Sequence, residues 1–129
     1  MAFLKSIFTW WDGATWGTRL FSRRNGVSVG TDALGNAYFE SKGPIAGRTR
    51  RWVIYEGPND ASRVPPEWFG WLHHTTDIVP DALPPARIWE KDPLPNLTGT
   101  PAAYRPAGAL ERGGTRAAAT GDYEAWSPN

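Results

Sequence analysis

The stretch Val64-Pro65-Pro66-Glu67-Trp68-Phe69-Gly70-Trp71-Leu72-His73 limits what this chain can fold into more than any other. Proline has no N–H and a fixed φ, so it fits the first helical turn, where backbone N–H groups lack an intrahelical partner. Within residues 61–74 the Pro65-Pro66 pair therefore predicts one short helix with an abrupt start. Glu67 adds negative charge at the positive end of the helix dipole. Trp68, Trp71 and Leu72 follow at i, i+3 and i+4, which places two indoles and a leucine on one face. At roughly 150–250 Å2 per aromatic side chain, that stripe is the expected main hydrophobic anchor.

Composition bears on how much else can be built. The 129 residues include 12 prolines and 14 glycines but also 8 tryptophans, and the apolar share is 40%. Disordered chains are poor in aromatics, so the balance predicts a small ordered nucleus with long extended arms. Such a nucleus has a thin core, and part of the tryptophan surface is expected to meet other proteins. The chain has no cysteine, which excludes disulfides, thiolate metal sites, iron–sulfur ligation and a cysteine nucleophile. No run of eighteen apolar residues is present.

A net charge of +1 hides segregation. Residues 1–24 carry Lys5, Arg19, Arg23 and Arg24 against Asp12, and residues 42–55 carry Lys42, Arg48, Arg50 and Arg51 without an acid. Residues 56–92 hold seven acids against three bases. Patches of this kind favour docking onto complementary surfaces over wholesale nucleic-acid binding.

Three segments follow from the periodicity. In residues 1–24, Phe3, Leu4, Ile7, Phe8 and Trp11 share one helical face, and Gly13 and Gly17 predict a break or bend before Phe21. This amphipathic helix is expected to pack on protein, with a membrane surface as the alternative. Residues 25–79 form a small α+β core: strands Val27–Thr31 and Ala37–Glu40 joined as a hairpin through Gly35-Asn36, a third strand Arg51–Tyr55, then the short helix. Residues 80–129 hold eight of the prolines and show no hydrophobic period, which predicts an extended partner-wrapping arm. Its scattered anchors include Ile88, Trp89, Leu94, Tyr104, Tyr123 and Trp126.

The chemistry sought along the chain is sparse. His73, His74 and Asp77 are the only cluster resembling a metal site; no third ligand beyond a His73–Asp77 pair is identifiable, and a His at a helix end is commonly a cap. Gly30 to Gly35 lacks the Gly-Lys-Ser/Thr ending of a phosphate loop. The basic run Lys42–Arg51 beside aromatic strands suits RNA stacking, but without a matching module it is read as a basic strand edge facing an acidic partner. No catalytic, cofactor-binding or metal site is assigned, and no nucleic acid is expected. The residues assigned to the fold or to docking are Arg50, Arg51, Trp52, Pro65, Pro66, Glu67, Trp68, Trp71, Leu72, His73, Trp89 and Tyr104, since Trp, Tyr and Arg dominate both cores and interface hot spots.

Several blocks, taken in order, resemble one family. They are Val29-Gly-Thr-Asp32, Gly35-Asn-Ala-Tyr-Phe-Glu40, Arg50-Arg-Trp-Val-Ile-Tyr55, Val64-Pro-Pro-Glu-Trp68, Trp71-Leu-His73 and Asn96-Leu-Thr-Gly-Thr-Pro101. Together they look like the signature of the alpha-subcomplex subunit 12 family of NADH:ubiquinone oxidoreductase, respiratory complex I. Phe69 departs from it, as members often carry histidine after this Trp, and about the last twenty residues carry no assignable match. The resemblance implies a non-catalytic accessory subunit on the peripheral arm, beside iron–sulfur and quinone-module subunits, that supports assembly and stability. FMN, iron–sulfur clusters and quinone would then belong to partner subunits. The implied location is the cytoplasmic side of a bacterial inner membrane, or the matrix side in mitochondria. A related branch acts as a transient assembly factor, which is the alternative; the long anchored arm favours a permanent subunit. The lack of a leader ahead of the first helix and the Ala-, Gly- and Arg-rich tail point to a bacterial member.

Overall fold

A helix, three strands and a second helix follow one another in a computed structural model that describes Ile7 and residues 13–115, 117–123 and 125–128. The expected amphipathic helix of residues 3–11 lies outside the described residues, apart from Ile7, which is helical. Gly13 has φ +70°, a left-handed conformation that breaks a helix. The chain resumes as α1, Trp16–Asn25, with Thr15 as its N-cap accepting a hydrogen bond from the Thr18 N–H at 3.3 Å. Gly17 sits within this helix, so the break falls at Gly13 alone. Arg23 and Arg24 in the last turn complement the negative end of the dipole.

The strands β1 (Gly26–Thr31), β2 (Ala37–Ser41) and β3 (Arg51–Ile54) form an antiparallel sheet in the order β1-β2-β3. The β1–β2 turn is closed by Asp32, whose Oδ1 accepts from the N–H groups of Leu34 and Asn36, while Gly35 supplies φ +83°. Tyr38, Val53, Glu40 and Arg51 alternate onto one face of the sheet, and Ala37, Phe39, Trp52 and Ile54 onto the other. A bulge between Ser28 and Gly30 shifts the β1 register.

The second helix, α2, spans Pro66–Leu72, with Pro65 as its N-cap and Pro66 in its first turn. It is shorter than the 61–74 window because Ala61–Arg63 form a separate 3-10 turn and Val64 is extended. Trp68 and Trp71 are 5% and 1% exposed and meet the wholly buried Tyr38; with Val64 they make the core. Val29, Val53, Tyr55, Leu72 and Val79 pack around it. The opposite face of the sheet receives α1, through Ser22 and Phe21 against Trp52.

The chain divides into two units, Met1–Asn96 and Leu97–Asn129. In the first, residues beyond α2 form only a 3-10 turn at Pro80–Ala82 and irregular chain, and the Asn96 N–H donates to Ser62 Oγ at 2.8 Å. In the second, a 3-10 turn at Leu110–Arg112 ends on Gly113 at φ +94°, and Arg105 pairs with Glu111. No helix among the described residues is long and apolar enough to cross a membrane.

Gly30 lets the Trp68 ring lie directly on β1: a Cβ there would stand 2.9 Å from Trp68 Cη2 and 3.0 Å from Cζ2. Gly30→Ala is therefore expected to destabilise the full chain by about 1–3 kcal/mol through overpacking. A lower denaturant midpoint, followed by tryptophan fluorescence, checks this; an unchanged midpoint would mean that Trp68 can give way.

Candidate functional site

The assigned residues fall into three places. Trp68, Trp71, Leu72, Pro65, Pro66 and Arg51 come together on the Tyr38 face of the sheet. The Trp68 indole stacks on the Tyr38 ring with centroids 3.9 Å apart and planes 6° apart. Trp71 meets both rings edge-on, at 5.4 Å from Trp68 and 6.4 Å from Tyr38. Such arrangements match the quadrupoles of the rings and contribute about 0.5–1.5 kcal/mol per pair beyond area burial.

Arg51 closes this cluster on the side away from the prolines. Its side chain is only 8% exposed. Nε donates to Glu40 Oε2 at 3.0 Å, Nη1 to the carbonyls of Trp71 at 2.8 Å and Thr76 at 3.1 Å, and Nη2 to Asp77 Oδ1 at 2.6 Å. The guanidinium also lies 4.7 Å from the Trp71 ring centroid. One cation on β3 thus ties β2, through Glu40, to the C-terminal end of α2, where the carbonyls carry negative potential. For Arg51 alone, this corrects the reading of the basic run as an outward strand edge. The register sets Arg51 opposite Glu40 on the helix-facing side, whereas Arg48 and Arg50 are exposed. The helix does not persist to Asp77, so His73 and Asp77 share no helix face: α2 ends at Leu72, His73 is its C-cap and Asp77 bonds Arg51. Among the described residues, no group of three His, Cys, Asp or Glu side chains could hold a metal.

Trp52 stands on the other face. Its Nε1 donates to the buried Ser22 hydroxyl at 2.8 Å, and its ring stacks near Phe39 at 6.0 Å. Arg50 contributes its backbone, with its N–H donating to Ser41 Oγ at 3.0 Å. Glu67 and His73 are exposed, the His73 ring lying 4.2 Å from that of Phe69. Trp89 and Tyr104 lie in the two separate units, 71% and 89% exposed.

Asp32, Asn36 and Tyr38 escaped the list of assigned residues. The wholly buried Asn36 donates through Nδ2 to Asp32 Oδ2 at 2.8 Å and to the Arg63 carbonyl at 3.1 Å, and its Oδ1 accepts from the Glu56 N–H at 3.1 Å. Tyr38 OH donates to the same Asp32 oxygen at 2.8 Å. The five residues from Asp32 to Asn36 read locally as turn chemistry, and nothing along the chain announces that Asn36 also bonds Glu56 and Arg63. Burial, and then the Asp32 carboxylate, push the Tyr38 phenol far above its ordinary value of 10.0.

The two polar systems give separate predictions. Arg51→Met is expected to destabilise the fold by about 2–4 kcal/mol, because two carbonyls and Glu40 lose a buried donor. Asp77→Asn, at an exposed partner, should cost no more than about 1 kcal/mol; equal losses in unfolding titrations would contradict the hub role of Arg51. Because the folded state holds the Tyr38 proton more tightly than the unfolded chain does, this contribution is complete below about pH 10 and is lost as pH rises above it. Tyr38→Phe should flatten that alkaline fall, leaving the smaller slope from Tyr55, whose phenol burial also raises; an unchanged pH profile would sink the assignment.

Comparison with known proteins completes the description of the site. Residues 26–128 match the family described as NADH ubiquinone oxidoreductase subunit NDUFA12. NADH dehydrogenase (ubiquinone) 1 alpha subcomplex subunit 12 of Bos taurus is 43% identical over 104 residues, covering 68% of this chain and 70% of that protein. Its namesake in Dictyostelium discoideum is 40% identical over 88 residues, covering 66% of this chain and 63% of its own length. An uncharacterised protein of Rickettsia prowazekii (strain Madrid E) is 43% identical over 56 residues, covering 42% of this chain and 56% of its own. The matched stretch takes in the whole sheet, the Asp32–Asn36 turn, Arg51 and the Pro-Pro-Glu-Trp helix, and the chain belongs to the NADH ubiquinone oxidoreductase subunit NDUFA12 family.

Proposed function

We propose that this chain is a non-catalytic accessory subunit of a proton-pumping NADH:ubiquinone oxidoreductase, stabilising its peripheral arm and aiding its assembly. Family membership and the relatives named alpha subcomplex subunit 12 support the complex. The observation that carries the docking role is the mismatch, among the described residues, between a core of four apolar side chains and the large apolar side chains left in water. Ile88, Trp89, Leu94, Tyr104, Tyr123 and Trp126 are each at least 71% exposed. Exposure on this scale suits a surface that another protein covers.

In this reading, the partners are iron–sulfur and quinone-module subunits, which hold the FMN, clusters and quinone, while this chain holds no cofactor. The bacterial relative supports a bacterial member, working on the cytoplasmic side of the inner membrane. Arg51 and the tryptophans of α2 give the small fold the rigidity to present its arm.

Native-gel separation of gently solubilised membranes, with mass spectrometry of each band, tests this. The chain should co-migrate with the intact NADH-oxidising complex, and deleting its gene should lower the amount or stability of that complex. Presence only in smaller species would favour a transient assembly factor, and full complex in the deletion strain would end the structural role. Truncation after Asn96 removes Tyr104, Tyr123 and Trp126 but leaves the Ser62–Asn96 bond, so the truncated chain should be washed from the complex more readily than the full one.

A further inference from the structure

Among the described residues, the sheet face that carries Trp52 is only partly covered by α1, and what remains is a groove of about 390 Å3. Its floor is apolar: Ala37 and Phe39 alternate on β2, and Ile54 stands opposite Ala37 on β3. Arg19 and Arg23, four residues apart, form one wall from α1, and Glu56 stands at the Gly35 end. Both arginines are exposed and neither makes an ion pair among the described residues. The groove joins strands inside the family-matched stretch to a helix that lies ahead of it.

We infer that this groove docks an acidic segment of a neighbouring subunit, which places an apolar side chain on Phe39 and Ile54 and its carboxylates against Arg19 and Arg23. The inference rests on the subunit role proposed above and names the surface and the chemistry of one partner. Two arginines a turn apart beside an apolar floor complement a peptide with acids flanking a large aliphatic or aromatic residue. The concavity suits an inserted side chain, whereas a lipid surface is met by projecting apolar groups. Glu56 would also repel an anionic headgroup or a phosphate backbone at that end.

A photoreactive benzoyl-phenylalanine in place of Arg23, in the full chain within native membranes, tests the proposal directly. Irradiation should join it to another protein of the complex, at a peptide where Asp or Glu flanks an apolar residue. Crosslinks to lipid alone, or none, with the chain still co-migrating with the complex, would overturn the groove assignment and leave the subunit role standing. Absence of the unsubstituted chain from the complex would overturn both. As an independent measurement, the double variant Arg19→Glu/Arg23→Glu should stay folded, with only the small drop in unfolding midpoint that an acid in the last turn of α1 brings, yet be retained about tenfold less after a salt wash, through like-charge repulsion. Retention equal to the unaltered chain would refute the acidic partner.

Discussion

Everything in the first unit depends on one contact, the Trp68 indole lying flat on Tyr38. The sheet has only three strands and α2 only two turns, and neither element is stable alone. The stack gives each element a partner, and Trp71 seals its edge. The closeness of the approach explains Gly30, since any Cβ on that part of β1 would hold the ring away. Gly26 plays the same part on the other face, where a Cβ would stand 2.7 Å from Trp52 Cζ2. Large rings over missing side chains are how a chain short of aliphatics reaches native packing density.

Polar groups finish what the rings begin. Arg51 occupies the C-terminal end of α2 and Asn36 the far end of the hairpin, so the helix-bearing face is bracketed by two buried hydrogen-bonding systems. Each is well satisfied: Arg51 reaches two carbonyls and two carboxylates, and Asn36 uses both ends of its amide. A buried polar network specifies one arrangement because any slip leaves a donor or acceptor unpaired. That constraint accounts for a defined helix position where the described residues include four buried apolar side chains in the core.

A rigid sheet-and-helix unit with exposed aromatic side chains on the chain that follows it is suited to being completed by neighbours. Binding partners stabilise such a fold by mass action, and a small interior becomes sufficient once surface is buried elsewhere. Family membership and the exposed anchors therefore point the same way. The basic wall of α1 adds a charged surface on the face that α2 leaves uncovered.

Local physics alone determined much of this protein. β-branched and aromatic runs, with Gly35 at the hairpin, were sufficient to place the strands within a residue. The prolines and the i, i+3, i+4 spacing of Trp68, Trp71 and Leu72 placed the helix inside a window that overran it at both ends. Ordered sequence blocks also carried the family. Tertiary structure decided what those residues do to one another. Arg51 belongs to a basic run along the chain, and only the β2–β3 register turns it inward toward Glu40, Trp71 and Asp77. Asn36 resembles any turn asparagine until the fold brings Glu56 and Arg63 to it. The end of α2 at Leu72, which separates His73 from Asp77, comes with His74 at φ +57°, a left-handed turn that no glycine at that position announces. Spacing records neighbours along one element, whereas hydrogen bonds and charge pairs between elements depend on register and burial, which exist only once the chain has folded.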